Sequence, residues 1–324
     1  MLHPDLLRQF DQDGYMIVED LFDPATDFAL LYQDWQEILD RVADRFIDEG
    51  RLAGRYRGLP FDQRLIRIAS ESQRNFSRYF DIALPQKNIR RDTPIYVGPG
   101  IFGVLTSPKL LDVAEAVIGP EIVCNPVGHV RMKLPEPALT SEGRSSGLSG
   151  SVPFHQDQGV LLPEADDSDI ISCWVAVSDA DERNGCLRVI PGSHRGDLLD
   201  HCTDESFRGS KGIAPQLLPA ARPRALPMRA GSALIFQRTL IHGALDNVTQ
   251  DRVRISLDLR YQPAGQPTGR SAFPGFIARS RPDPSSELHD WRRWASQWFD
   301  TRERLAEEGT PLFNRWSADS SLCA

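Results

Sequence analysis

Phe154-His155-Gln156-Asp157-Gln158-Gly159 is the stretch on which the reading of this chain turns. In extended backbone successive side chains alternate between faces, so residues two apart point the same way. His155 and Asp157 therefore reach into one space while Gln156 points away. A further imidazole, His242, follows His155 by 87 positions. Two imidazoles and one carboxylate on one face of a metal, with the other positions open, form the donor set of non-haem Fe(II) sites. An H-x-D pair arises often by chance, so the surrounding sequence has to carry the case.

From residue 120 onward the periodicity is that of β-structure. Short runs rich in β-branched and apolar residues, at 121–124, 127–134, 170–177, 186–190, 232–236 and 253–261, alternate with turn signals. Segments this short predict a sandwich or barrel rather than a parallel α/β sheet. Asn184-Gly185 is a hairpin signal, because both residues tolerate positive φ. The run 252–261 alternates strictly: Arg252, Arg254, Ser256, Asp258 and Arg260 share one face, opposite apolar residues and Tyr261.

Before residue 120 the pattern is helical. The first forty residues read as helix, with Asp23-Pro24-Ala25-Thr26 opening a long one whose stripe is Leu30, Leu31, Trp35, Ile38, Leu39, Val42 and Phe46. Pro108 to Ile118 predicts another, ended by Gly119-Pro120. Near the C-terminus Trp291, Trp294, Trp298 and Phe299 recur at helical spacing and predict a face docked on the β-core. The polar segment 140–150, just before the H-x-D pair, is expected to be a flap over the site or a plain surface loop. One elaborated domain, 1–324, is expected: a helical part to about 120, a β-core over about 121–262, and a C-terminal loop and helix over 263–324.

Composition narrows the function. The formal net charge of -8 argues against non-specific nucleic-acid binding. The N-terminus lacks the pattern of a secretory signal, and no apolar stretch approaches the roughly 20 residues of a membrane span. Five cysteines without a C-x-x-C pair predict reduced thiols and a cytoplasmic protein.

Several ordered motifs sharpen the picture: the H-Q-D run, Trp174-x-Ala176-x-x-Asp179, Asn184-Gly185-x-Leu187 through Pro191-Gly192-Ser193-His194, His242-Gly243 with Asn247, and Arg254-x-Ser256-x-Asp258-x-Arg260-Tyr261-Gln262. Together with the opening Phe10-x-x-x-Gly14-Tyr15, they resemble the phytanoyl-CoA dioxygenase family. That resemblance implies a mainly β fold with flanking helices, a double-stranded β-helix (jelly roll), and an Fe(II)- and 2-oxoglutarate-dependent oxygenase that uses O2. It implies that His155, Asp157 and His242 are the iron ligands. It also implies an arginine fork for the distal carboxylate of 2-oxoglutarate, a group that arginine grips better than lysine. Arg254 fits that frame, with Ser256 beside it. Arg254 lies 12 residues after His242, and Arg252 remains the alternative. Lys133 and Arg131 match a cationic segment that contacts co-substrate or anionic substrate, and Trp174 is a candidate pocket wall. Arg260 reads as a salt-bridge partner of Asp258 or a surface residue. His194 is expected to be structural, and His129 and His201 to have no metal role.

Because Asp157 is retained where related halogenases carry a small residue, hydroxylation, desaturation or ring formation is expected rather than halogenation. The expected partner is a small-molecule substrate, with the protein a monomer or homodimer. Its identity would be shaped by segments 61–100, 140–152, 200–230 and 264–286. The rivals are a non-catalytic jelly-roll protein that binds a metal or ligand, and a zinc-type hydrolase with the same ligands.

Overall fold

The computed structural model describes residues 2–139, 152–203, 211–311 and 315. The proposed flap at 140–150 and Trp316 lie outside these residues. The first helix, α1 (Pro4–Asp13), ends at Gly14, whose φ of 82° is left-handed backbone. A Cβ there would also stand 2.4 Å from the His194 ring, so the position needs glycine twice over. The chain does not continue as helix: Tyr15–Val18 forms strand β1. Helix α2 (Ala29–Asp48) begins six residues later than Asp23, because Thr26 and Asp27 first close a turn onto the Asp23 carbonyl. Helices α3 (Phe61–Ser72), α4 (Pro99–Leu105) and α5 (Pro108–Ile118) follow. Helix α3 falls in the segment 61–100 expected to shape the substrate pocket, and Phe61, Leu65, Ile68 and Ala69 bury one helical face.

The strands then run β2 (Glu121–Cys124), β3 (His129–Lys133), β4 (Val152–His155), β5 (Ile171–Ala176), β6 (Leu187–Val189), β7 (His201–Thr203), β8 (Lys211–Ile213), β9 (Arg224–Leu226), β10 (Ala233–Gln237), β11 (His242–Ala244), β12 (Arg254–Pro263) and β13 (Phe276–Ser280). Helix α6 (Trp291–Glu308) follows them. A larger antiparallel sheet has the order β1-β10-β5-β12-β2-β13, with β3 also paired to β12. A smaller one has the order β4-β11-β6-β9, and β7 pairs with β8. The sheet thus extends beyond the expected 121–262 core at both ends, through β1 and β13. Asn184-Gly185 makes no hairpin: β5 and β6 lie in different sheets, and the turn carries the chain from one to the other.

Alternation along the strands builds two cores. Met16, Cys173, Val175, Ile235, Ile255 and Leu257 face the helices and join their apolar stripes. Tyr15, Trp174, Ala176, Leu234 and Phe236 face the other way and pack against Leu187, Val189 and Ala244 of the smaller sheet. The second cluster therefore fills the space between the sheets, the arrangement of a jelly roll. Helix α6 docks through Trp294, against Phe102 and Phe276 at 5.7 and 6.2 Å between ring centres, and through Trp298, against Phe273 at 5.3 Å. Phe299 turns out to solvent instead. Cys202 is disulfide-bonded, so the expectation of reduced thiols throughout does not hold.

Candidate metal centre

Strand β4 ends at His155, but Gln156 stays extended (φ -118°, ψ 133°) before a 3-10 turn opens at Asp157. The two-residue alternation thus survives the end of the strand. Gln156 points away and pins a loop: its Nε2 donates to the carbonyls of Asp197 and Thr239, and its Oε1 accepts from the Leu199 amide. His242 opens β11 directly opposite His155 in the antiparallel register. The His155 and His242 Nε2 atoms each lie 3.8 Å from Asp157 Oδ1. A donor atom from each of the three residues lies within 4.8 Å of the other two.

The rings are oriented by the backbone. Each Nδ1–H donates to a carbonyl two residues earlier, His155 to Pro153 at 2.9 Å and His242 to Leu240 at 3.0 Å. That fixes the tautomer and turns both Nε2 lone pairs toward Asp157. Burial, with His242 beside it, pushes His155 down to about 4; burial lowers His242 as well. Burial opposes ionisation of Asp157, but Arg260, His242 and His155 outweigh it and hold the carboxyl well below its usual range. Two neutral imidazoles and a carboxylate are the protonation states a divalent cation needs.

Asp157 is itself held on both oxygens. Arg260 Nη2 meets Oδ1 at 2.6 Å, and the Ser172 hydroxyl donates to Oδ2. The expected role of Arg260 is overturned: it is 5% exposed and pairs with Asp157, whereas Asp258 pairs with Arg131 at 3.3 Å. The signal lay in the alternation of β12, which sets Arg260 on the same face as Arg254. Its cross-strand partner Ser172 had no signal in the sequence.

A cavity of about 380 Å3 opens above the triad, lined by Trp174, Arg131, Lys133, Arg254 and Asp258 among others. Arg254 is buried; its Nη1 donates to Ser256 Oγ at 2.7 Å, its Nε to the Gly185 carbonyl at 3.2 Å, and its guanidinium lies 5.4 Å from the Trp174 ring centre. Lys133, its register partner on β3, donates to the Leu245 carbonyl. Burial lowers Arg254 to about 10, and burial followed by Arg254 lowers Lys133 to about 6. Among the described residues neither forms an ion pair. Charging both groups side by side in a buried site is costly, which is why Lys133 gives up its proton so readily, and an anionic ligand relieves that cost. Arg252 instead faces solvent and pairs with Asp181 at 2.7 Å.

The other histidines stand apart from the triad. His129 pairs with Asp81 at 3.0 Å, and His194 packs on Gly14 and meets the Asp11 carbonyl at 3.3 Å. His201 accepts from the Gln156 amide through Nε2 and bonds the Leu199 carbonyl through Nδ1.

The family model of phytanoyl-CoA dioxygenase (PhyH) matches residues 10–256. The chain belongs to this family. It is 29% identical over 154 residues to the peroxisomal phytanoyl-CoA dioxygenase of Bos taurus, covering 46% of this chain and 42% of that protein. To the 1-deoxypentalenic acid 11-beta-hydroxylase of Streptomyces arenae it is 28% identical over 173 residues, covering 51% and 58%. The chain spans about half the length of the curated relatives it matches. A crystal structure of the epimerase SnoN, in complex with Fe3+, alpha ketoglutarate and nogalamycin RO, superposes with a TM-score of 0.52 at 17% identity, over 82% of this chain and 86% of that one. That likeness establishes the shared fold. The family match contains the triad, Arg254 and Ser256, and stops short of Arg260.

Proposed function

We propose that this protein is an Fe(II)- and 2-oxoglutarate-dependent oxygenase that oxidises a small organic molecule, releasing succinate and CO2. The observation that carries the reading is the meeting of His155 Nε2, His242 Nε2 and Asp157 Oδ1 beneath a cavity that also holds the buried Lys133–Arg254 pair, which forms no ion pair among the described residues. The triad would hold the metal. Arg254, braced by Ser256 and the Gly185 carbonyl, would grip the distal carboxylate of 2-oxoglutarate, and Lys133 would add a second charge. The metal and 2-oxoglutarate, when bound, supply the activation of O2 that side chains cannot provide.

The chain's own contribution is placement. The Nδ1–H bonds to Pro153 and Leu240 keep both imidazoles aimed, Ser172 holds the second carboxylate oxygen away, and Trp174 shields the wall behind Arg254. Water exclusion strengthens the grip of Arg254 on a carboxylate. The retained Asp157 favours hydroxylation over halogenation, and the hydroxylase among its relatives supports that reading. A hydrolase would have no use for a buried arginine and lysine placed together to receive a second carboxylate.

Succinate formation from 2-oxoglutarate tests the proposal. Iron-loaded protein is expected to form succinate, and to couple it to substrate when offered metabolite pools. Equal turnover in metal-free and iron-loaded protein would sink it. Loss of turnover in Arg254→Ala, restored by high 2-oxoglutarate, separates this reading from hydrolysis.

A further inference from the structure

Arg260 is the one charged side chain outside the triad that touches it among the described residues. It reaches Asp157 Oδ1, the same oxygen that faces both imidazoles, and its Nη1 donates to the Val127 carbonyl at 3.0 Å. Its Nε is buried without a hydrogen-bond partner. Asp157 Oδ2 is taken by Ser172. A carboxylate oxygen has two lone pairs, so Oδ1 can serve a guanidinium and a metal together. Oδ1 is the oxygen that faces both imidazoles, while the Ser172 bond turns Oδ2 aside, so Oδ1 is the oxygen the carboxylate offers the metal.

We propose that Arg260 is a positioning residue that fixes Asp157 as a one-oxygen ligand and also cancels its charge, so that the site favours divalent over trivalent iron. The inference rests on the triad reading above. Asp157 and Arg260 together contribute no net charge, and the imidazoles are neutral. A bound cation therefore keeps its full charge close to a guanidinium, and that repulsion grows with the cation's charge. At the effective screening found in proteins, a unit charge this close changes the ratio of Fe(II) to Fe(III) binding by about tenfold or more.

The test is the midpoint potential of bound iron in the full chain, by anaerobic dye titration followed through the Fe(III) resonance signal. Near-ultraviolet circular dichroism checks that each variant folds. Arg260→Gln and Arg260→Met (the latter keeps an unbranched stem in the barrel) are expected to lower the ratio about tenfold or more, which is ~59 mV for one electron. Arg260→Lys keeps the charge and is expected to stay close to wild type. Ser172→Ala, which removes a hydrogen bond but no charge, is expected to leave the potential in place and shift the Co(II) absorption bands. An unmoved potential in Arg260→Gln and Arg260→Met overturns the inference alone, as does an equal shift in Arg260→Lys or Ser172→Ala. A wild-type protein that takes up no iron overturns the triad reading, and the inference with it.

Discussion

Lys133 shows how one side chain can trade stability for ligand binding. Burial lowers it from 10.5 to about 6, so between those values the unfolded chain binds a proton that the folded protein does not. Stability then rises with pH across that window. The penalty is fully present below about 6 and fades toward 10.5. At pH 7, without ligand, Lys133→Met is expected to stabilise the protein by about 1–4 kcal/mol. The same variant should bind 2-oxoglutarate more weakly. Urea melts at pH 6 and pH 9 check the first point, since the gain should shrink at the higher pH, and calorimetric titration checks the second. A variant less stable than wild type at pH 6 would contradict this account.

At the scale of elements, the strands were the most legible part of the molecule. Strict alternation in β12 and the two-residue step of the H-x-D pair are both consequences of the pleat, and both appear in the structure. What local pattern could not supply was partnership. Asn184-Gly185 has the chemistry of a tight hairpin, but its turn is closed by Asp181, whose carbonyl accepts from the Gly185 and Cys186 amides. Tyr15–Val18 looked like an extension of helix because only its pairing with β10 makes it a strand. Arg260 was misassigned for a related reason: its partner, Asp157, lies 103 positions away in sequence, in the turn that follows β4. Gly185 joins the turn to the site. Its φ is 94°, and a Cβ would stand 2.7 Å from both the Leu245 carbonyl oxygen and Lys133 Cδ. Gly185→Ala is therefore expected to cost about 1–3 kcal/mol in stability. It should also weaken 2-oxoglutarate binding, because the Gly185 carbonyl braces Arg254. Chemical denaturation and ligand titration measure the two effects. Unchanged values in both would refute the link.

Across the whole molecule, the helices and the metal centre sit on opposite faces of the larger sheet and can be perturbed apart. Trp298 is 1% exposed in the cluster that joins α6 to that sheet. Trp298→Ala is expected to cost about 3–5 kcal/mol while leaving Co(II) affinity unchanged in the protein that remains folded. Thermal melts with and without Co(II) separate the two. Metal itself should stabilise by about 2.7 kcal/mol at a hundredfold excess over its Kd, and the triad variant His242→Ala should lose that gain.

The facing pair His155 and His242 has one more consequence. These residues are neighbours in space but 87 positions apart along the chain, on strands β4 and β11 that have β5 to β10 between them in sequence. A single ion held by both would act as a reversible cross-link across that span, restricting the disordered chain much as a covalent bridge over the same length does. Loops closed over such distances form late in folding. Metal uptake during refolding would therefore report the moment at which β4 and β11 come together in the smaller sheet.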